Sequence, residues 1–138
     1  MTKWEYRVAG TGGAYAVLSD ETAGDVSEKY EGSFKDKAEV TPGFGAASVG
    51  VTPNANTAGS LAIPLTRVLA DPGAAQADVR GWRAALKGKR LNLKATTGAD
   101  VCYYPSAVME NMTFKLNGRA VDYVFNFSTQ DVTLTEPT

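Results

Sequence analysis

Apolar and polar residues alternate most cleanly near the end of the chain, where two runs, 111–116 and 119–128, flank Asn117-Gly118. A period of two marks half-buried strands, and Asn-Gly between two such runs marks a two-residue hairpin turn. A turn centred on these residues sets Leu116 opposite Arg119, Phe114 opposite Val121, Met112 opposite Tyr123 and Val108 opposite Phe127. One face of the hairpin is then apolar. The other carries Asn111, Thr113 and Lys115 against Asp122 and Asn126, with Val124 as the apolar exception.

The same reading places an opening strand where Trp4, Tyr6 and Val8 alternate with Glu5 and Arg7, a turn at Gly10-Thr11-Gly12-Gly13, and a return strand over 14–18. Residues 20–31 are polar and glycine-broken, which predicts a loop with at most a short strand. Residues 34–40 suit an extended strand, and Asp36 among Phe34, Ala38 and Val40 favours an edge or an intersubunit position. Over 41–60 only Phe44, Val49 and Val51 interrupt Gly, Ala, Ser, Thr, Asn and Pro, a composition that predicts a long functional loop. A strand over 60–69 is interrupted by Pro64, which suits an edge or a bulge.

One helix is expected, over about 72–87. Asp71 is its N-cap, Pro72 its first residue, and Gly88 stands where a left-handed terminator is wanted. Ala75, Val79, Trp82 and Leu86 form one stripe at helical spacing, while Arg80, Arg83 and Lys87 lie mostly outside it. Gly81 weakens the helix by up to about 1 kcal/mol against alanine, so docking of Trp82 has to hold it. Strands follow over 90–95, 101–104, 106–116 and 119–128, with Thr97-Gly98-Ala99-Asp100 as a turn, and 133–138 reads as a flexible tail. The total is a mainly β single domain, 1–138: an antiparallel β-sandwich or small barrel with one flanking α-helix.

Composition narrows the function. A chain of 138 residues is long enough to bury about two-thirds of its unfolded surface without staples. The single cysteine, Cys102, makes no intramolecular disulfide, which fits an intracellular origin. No run approaches the roughly 20 apolar residues of a membrane helix. The formal net charge of -1 gives no overall drive toward nucleic acid or anionic membrane. Its distribution is uneven: seven acidic residues fall within 20–39, and six of the fourteen basic ones within 80–94.

Catalytic chemistry has little to work with. The chain has no histidine, hence no ordinary proton shuttle and no commonest metal ligand. Cys102, in Val101-Cys102-Tyr103-Tyr104, sits among apolar residues without a base and reads as a packed thiol rather than a nucleophile. Asp25 with Glu28 lacks the alternating oxygen ligands of a calcium loop, and Gly10-Thr11-Gly12-Gly13 lacks the lysine and helix of a phosphate loop. No cofactor or metal is expected. Tyr103-Tyr104-Pro105 could present a stacking platform, although aromatics in a strand more often serve core and interface.

What remains suggests a part that assembles. An acidic region of one copy, with Asp25, Glu28, Glu31, Asp36 and Glu39, can meet a basic region of the next, with Arg80, Arg83, Lys87, Lys89, Arg90 and Lys94. Phe44, in the long small-residue segment, is the apolar anchor of the same candidate interface.

Three stretches run in an order that resembles small bacteriophage tail proteins of the tail-tube-like group: Ser60-Leu61-Ala62-Ile63-Pro64-Leu65, Trp82-Arg83-Ala84-Ala85-Leu86 and Tyr104-Pro105-Ser106-Ala107-Val108, closed by Val121-Asp122-Tyr123-Val124-Phe125-Asn126-Phe127. The resemblance covers roughly the last half of the chain and rests on residue types. It implies a non-enzymatic virion protein, made in the bacterial cytoplasm, whose partners are copies of itself in a ring, usually a hexamer, and other tail proteins. It also implies assembly segments within 20–59, with 42–59 as a stacking loop and 20–40 as an extended hairpin. The alternatives are a capsid decoration or adhesin-like module, with Tyr103 and Tyr104 in a surface pocket, and a small barrel whose cavity is lined by Phe114, Tyr123 and Phe125.

Overall fold

The capped helix forms, the C-terminal hairpin turns at Gly118-Arg119 rather than at Asn117-Gly118, and the described residues include seven strands. The computed structural model describes residues 2–20, 30–42 and 49–138, with side chains for 2–20, 30–35 and 58–138. The elements are β1 (Thr2–Val8), β2 (Ala16–Asp20), β3 (Glu31–Pro42), β4 (Val49–Val68), α1 (Pro72–Leu86), β5 (Arg90–Thr97), β6 (Asp100–Asn117) and β7 (Ala120–Thr129). All strands join one antiparallel sheet in the order β2-β1-β5-β6-β7-β4-β3.

The mainly β architecture with a flanking helix is as expected, and the sheet is not closed into a barrel. Its outer strands approach through rings rather than backbone hydrogen bonds. Tyr30, just before β3, packs edge-on against Trp4 of β1 at 5.1 Å, and Phe34 of β3 stacks on Tyr104 of β6 at 6.3 Å. The core holds Trp4 with Ile63, Leu65, Leu91, Leu93, Val121, Phe125 and Phe127, each fully buried. Burial of one such side chain stabilises the fold by about 1.5–3 kcal/mol.

The helix follows its sequence signals. The Asp71 carboxylate accepts the Ala74 N–H at 2.7 Å, and Gly88 takes a φ of 71° just beyond the last turn. Ala75, Val79 and Leu86 are buried against the sheet, and the half-buried Trp82 meets Phe125 edge-on at 5.6 Å.

The C-terminal hairpin differs from its expected register by two residues. The turn residues are Gly118 and Arg119, so Asn117 pairs with Ala120, Leu116 with Val121, Phe114 with Tyr123 and Met112 with Phe125. Gly118, at φ 62°, supplies the positive angle at the first turn position, as Gly98 does at φ 60° between Thr97 and Asp100. An even shift leaves each side chain on its face. A bulge between Met109 and Asn111 then puts Met109, not Val108, opposite Phe127.

Two further stretches depart from expectation. Pro105 does not divide β6: Ser106 adopts a φ of 53°, and the extra residue bulges between the pairs Leu91–Ala107 and Leu93–Tyr104. The buried Asn92 side chain serves this bulge, accepting the Ser106 N–H and donating to the oxygen of Thr138, both at 3.3 Å. Over 42–59, where a loop is expected, Val49 to Gly59 is already strand, laddered to β3 from Pro42–Val49 onward. A partner strand satisfies the backbone there where side-chain propensity is weak. Pro64 lies beyond the last β3 pairing, Glu31–Ala62, where β4 keeps only β7 as a ladder partner.

The expected tail, 133–138, is tied along the sheet. Thr133 bridges Tyr103 at 2.8 and 2.9 Å, the Gly10 N–H donates to Thr138 at 3.0 Å, and Arg7 donates to the Pro137 carbonyl and lies 3.5 Å from Glu136.

Candidate functional site

The two flanks of α1 meet different surroundings. On one flank the Tyr123 hydroxyl donates to Asp78 at 2.6 Å, Arg67 pairs with the same carboxylate at 3.0 Å, and the Arg67 guanidinium stands 5.9 Å over the Trp82 ring. Burial, followed by the Asp78 contact, pushes the Tyr123 hydroxyl pKa far above its usual value. This flank is closed.

The other flank lines a groove. Arg80, Arg83 and Lys87 recur at helical spacing and, with Val79 and Ala84, face Glu110, Asn111, Met112 and Phe114 of β6 across a volume of about 740 Å³. Pairing between β5 and β6 ends at Arg90–Val108, so β6 outruns its neighbour, and among the described residues 109–117 keep only β7 as a ladder partner. Phe114 is consequently 49% exposed and Leu116 43% exposed, although their pattern points to the helix-covered face. Among the described residues no carboxylate forms an ion pair with Arg80, Arg83 or Lys87. The Glu110 carboxylate accepts from Ser128, and Asn111 accepts from Asn126 at 2.5 Å. The groove therefore combines unpaired positive charge, an apolar floor and an open strand edge.

The structure divides the sequence-derived basic set. Arg80, Arg83 and Lys87 line the groove, Lys89 and Arg90 are exposed where the chain enters β5, and Lys94 is drawn away. Lys94 and Arg7 both stand over the Tyr15 ring, at 5.4 and 4.5 Å. Of the acidic set, Glu31 is exposed at the start of β3, and Asp36 and Glu39 hold strand positions opposite Thr57 and Thr52. Asp25, Glu28 and Phe44 lie outside the described residues.

Sequence reasoning missed the β6 wall. The expected break at Pro105 hid the fact that an eighteen-residue strand runs beside an eight-residue one. That difference in length is the signal that a free edge exists.

The other candidates do not come together. Tyr103 pairs with Tyr15 at 6.4 Å, whereas Tyr104 joins Trp4 and Phe34, so the two tyrosines share no platform. Burial raises the Tyr104 pKa to about 12 and also pushes the Cys102 thiol up, which leaves the thiol protonated at neutral pH. Tyr123 and Phe125 stack at 5.3 Å inside the core while Phe114 lies outside it, so these three residues line no shared cavity. Among the described residues no group of three His, Cys, Asp or Glu side chains is placed to hold a metal, and no helix is long and apolar enough to cross a membrane.

No protein-family model matches the chain, and no curated protein matches it in sequence. Solved structures do match in fold. A chain from the phage p2 baseplate in its activated conformation with Sr superposes with a TM-score of 0.58 at 9% identity, over 94% of this chain and 43% of that one. A chain from the anti-feeding prophage (AFP) baseplate, 6-fold symmetrised, gives a TM-score of 0.49 at 9% identity, over 96% and 90%. The present chain thus spans less than half the length of the p2 chain to which its fold is similar.

Proposed function

We propose that this chain is a non-enzymatic structural subunit of a phage tail-like assembly, a tail-tube-like protein that joins copies of itself and other tail proteins into rings or a tube within the virion. The observation that carries this reading is the fold likeness to a phage p2 baseplate chain, which extends over 94% of the present chain.

Two features of the molecule support it. The β3–β4 hairpin runs past β7: β4 joins β7 from Gly59–Thr129 onward, so among the described residues 49–58 have β3 as their sole partner strand. Ten extended residues span about 30 Å, and a two-stranded ribbon of that length is marginal in water unless something packs on it. The groove beside α1 supplies a cationic and apolar surface. Within the candidate interface, Arg80, Arg83 and Lys87 form the receiving surface, Asp36 and Glu39 lie on the two-stranded arm, and Glu31 stands at its base opposite Ala62.

Mass photometry and negative-stain imaging of the purified chain test the proposal. Rings, stacked rings or tubes are expected as concentration rises. A strict monomer at high concentration overturns the self-assembling reading.

A further inference from the structure

We infer that the free edge of β6, residues 109–117, with Arg80, Arg83 and Lys87 along its rim, receives the β3 strand of a second copy of this chain. This rests on the self-assembling reading above and names the two surfaces that meet.

The backbone gives the first reason. An edge strand presents alternate N–H and C=O groups without ladder partners, and such a row is satisfied by another strand. Among the described residues, β6 over 109–117 has only β7 as a ladder partner, and β3 has only β4 along its length from Glu31 to Pro42. Both edges are long enough for an extended ladder. Within one molecule they form no ladder, because β7 and β4 lie between them in the sheet order, and the Phe34–Tyr104 stack joins β3 to β6 outside 109–117.

Charge selects the partner. The groove holds three cations, and its one carboxylate, Glu110, accepts from Ser128. β3 carries three acids, Glu31, Asp36 and Glu39, with Lys35 and Lys37 between them. The competing edges offer fewer acids: the five residues of β2 include one, the buried Asp20, and the stretch of β4 beyond β3 contains Arg67 and no acid. Met112 and Phe114 then supply the apolar contact that excludes water from the new ladder. The edge that donates differs from the edge that receives, so the contact is heterologous. It repeats from copy to copy and either closes into a ring or continues as a filament.

A charge exchange tests the pairing with the full chain. One variant, Arg83→Glu with Lys87→Glu, reverses the groove; the other, Glu31→Lys with Glu39→Lys, reverses the strand. Each alone should associate about tenfold more weakly than the parent, as read by sedimentation or mass photometry. Mixed in equal amounts, the reversed groove of one matches the reversed strand of the other and the parent groove matches the parent strand, so association should return. The neutral variant Arg83→Gln with Lys87→Gln should also weaken association, and circular dichroism should show all of them folded. A parent that assembles while both reversed variants assemble equally well overturns this pairing and leaves the structural role standing. Weakened variants that stay apart on mixing also overturn it. A parent that is monomeric throughout, including one that binds only an acidic segment of another protein, overturns both this pairing and the self-assembling reading.

Discussion

The two flanks of α1 are built from the same fifteen residues and end in opposite states. On one, Asp78 and Trp82 are enclosed by Arg67, Tyr123 and Phe125, and the ion pair, hydroxyl and rings satisfy one another. On the other, Arg80, Arg83 and Lys87 point along a groove that no carboxylate among the described residues neutralises. The difference arises from what lies beneath. The sheet continues under the first flank through β7 and β4, whereas under the second β6 has lost β5. The satisfied contacts are therefore concentrated on one side of the helix, and the exposed charge and strand edge on the other.

The sharpest way to break this contrast is at the shared core. Phe125→Ala should destabilise the fold by about 3–5 kcal/mol, measured by chemical denaturation, because it empties a fully buried site that supports Trp82 and Tyr123. Asp78→Ala comes next, at about 1–3 kcal/mol, since it removes the partner of Arg67 and leaves the buried Tyr123 hydroxyl without its acceptor.

The closed flank should also respond to alkali. Burial and Asp78 raise the folded-state pKa of Tyr123 above its unfolded value of about 10, so the neutral hydroxyl is the form the fold favours. Its stabilisation is fully present below about pH 10 and is lost as pH rises toward the folded value. Unfolding followed against pH should show that decline, and Tyr123→Phe should make it shallower.

On the open side the expected changes are small. A Cβ added at Gly81 meets nothing within 4 Å, so Gly81→Ala should stabilise the helix by about 0.5–1 kcal/mol, visible as a raised Tm. Arg83→Glu with Lys87→Glu should move unfolding stability by no more than about 0.5 kcal/mol, while weakening association. A large loss of stability there would show that the groove belongs to the fold after all.

The closed flank was much more legible in the sequence than the open one. Asp71, Pro72 and Gly88 mark the helix ends by local hydrogen bonding and backbone angle, and Ala75, Val79, Trp82 and Leu86 mark its buried stripe. These are short-range properties. The register of β6 against β7 was less accessible, because Asn117-Gly118 and Gly118-Arg119 offer two turns with the same glycine and the same facing of every side chain. The strand over 49–59 was hidden for a different reason: its small residues carry little intrinsic preference, and the ladder with β3 imposes extension on them. Arg80, Arg83 and Lys87 were identifiable as a cluster from their spacing. Their neighbour Phe114 was assigned to a covered face, since alternation reports a side and not how far the covering element extends.

Gly59 shows what the continuity of β4 implies mechanically. It stands where β4 passes from the core ladder with β7 into the two-stranded arm, and a Cβ there would collide with the Thr129 hydroxyl and crowd the Gln130 carbonyl and the Phe34 ring. The arm is thus the outer half of a lever whose inner half, with Leu61, Ile63 and Leu65, is clamped in the interior. Gly59 is its fulcrum. Torque applied to the arm would reach the core through β4, past the register shift between Asp36 and Ala38 and through the crowded backbone at Gly59.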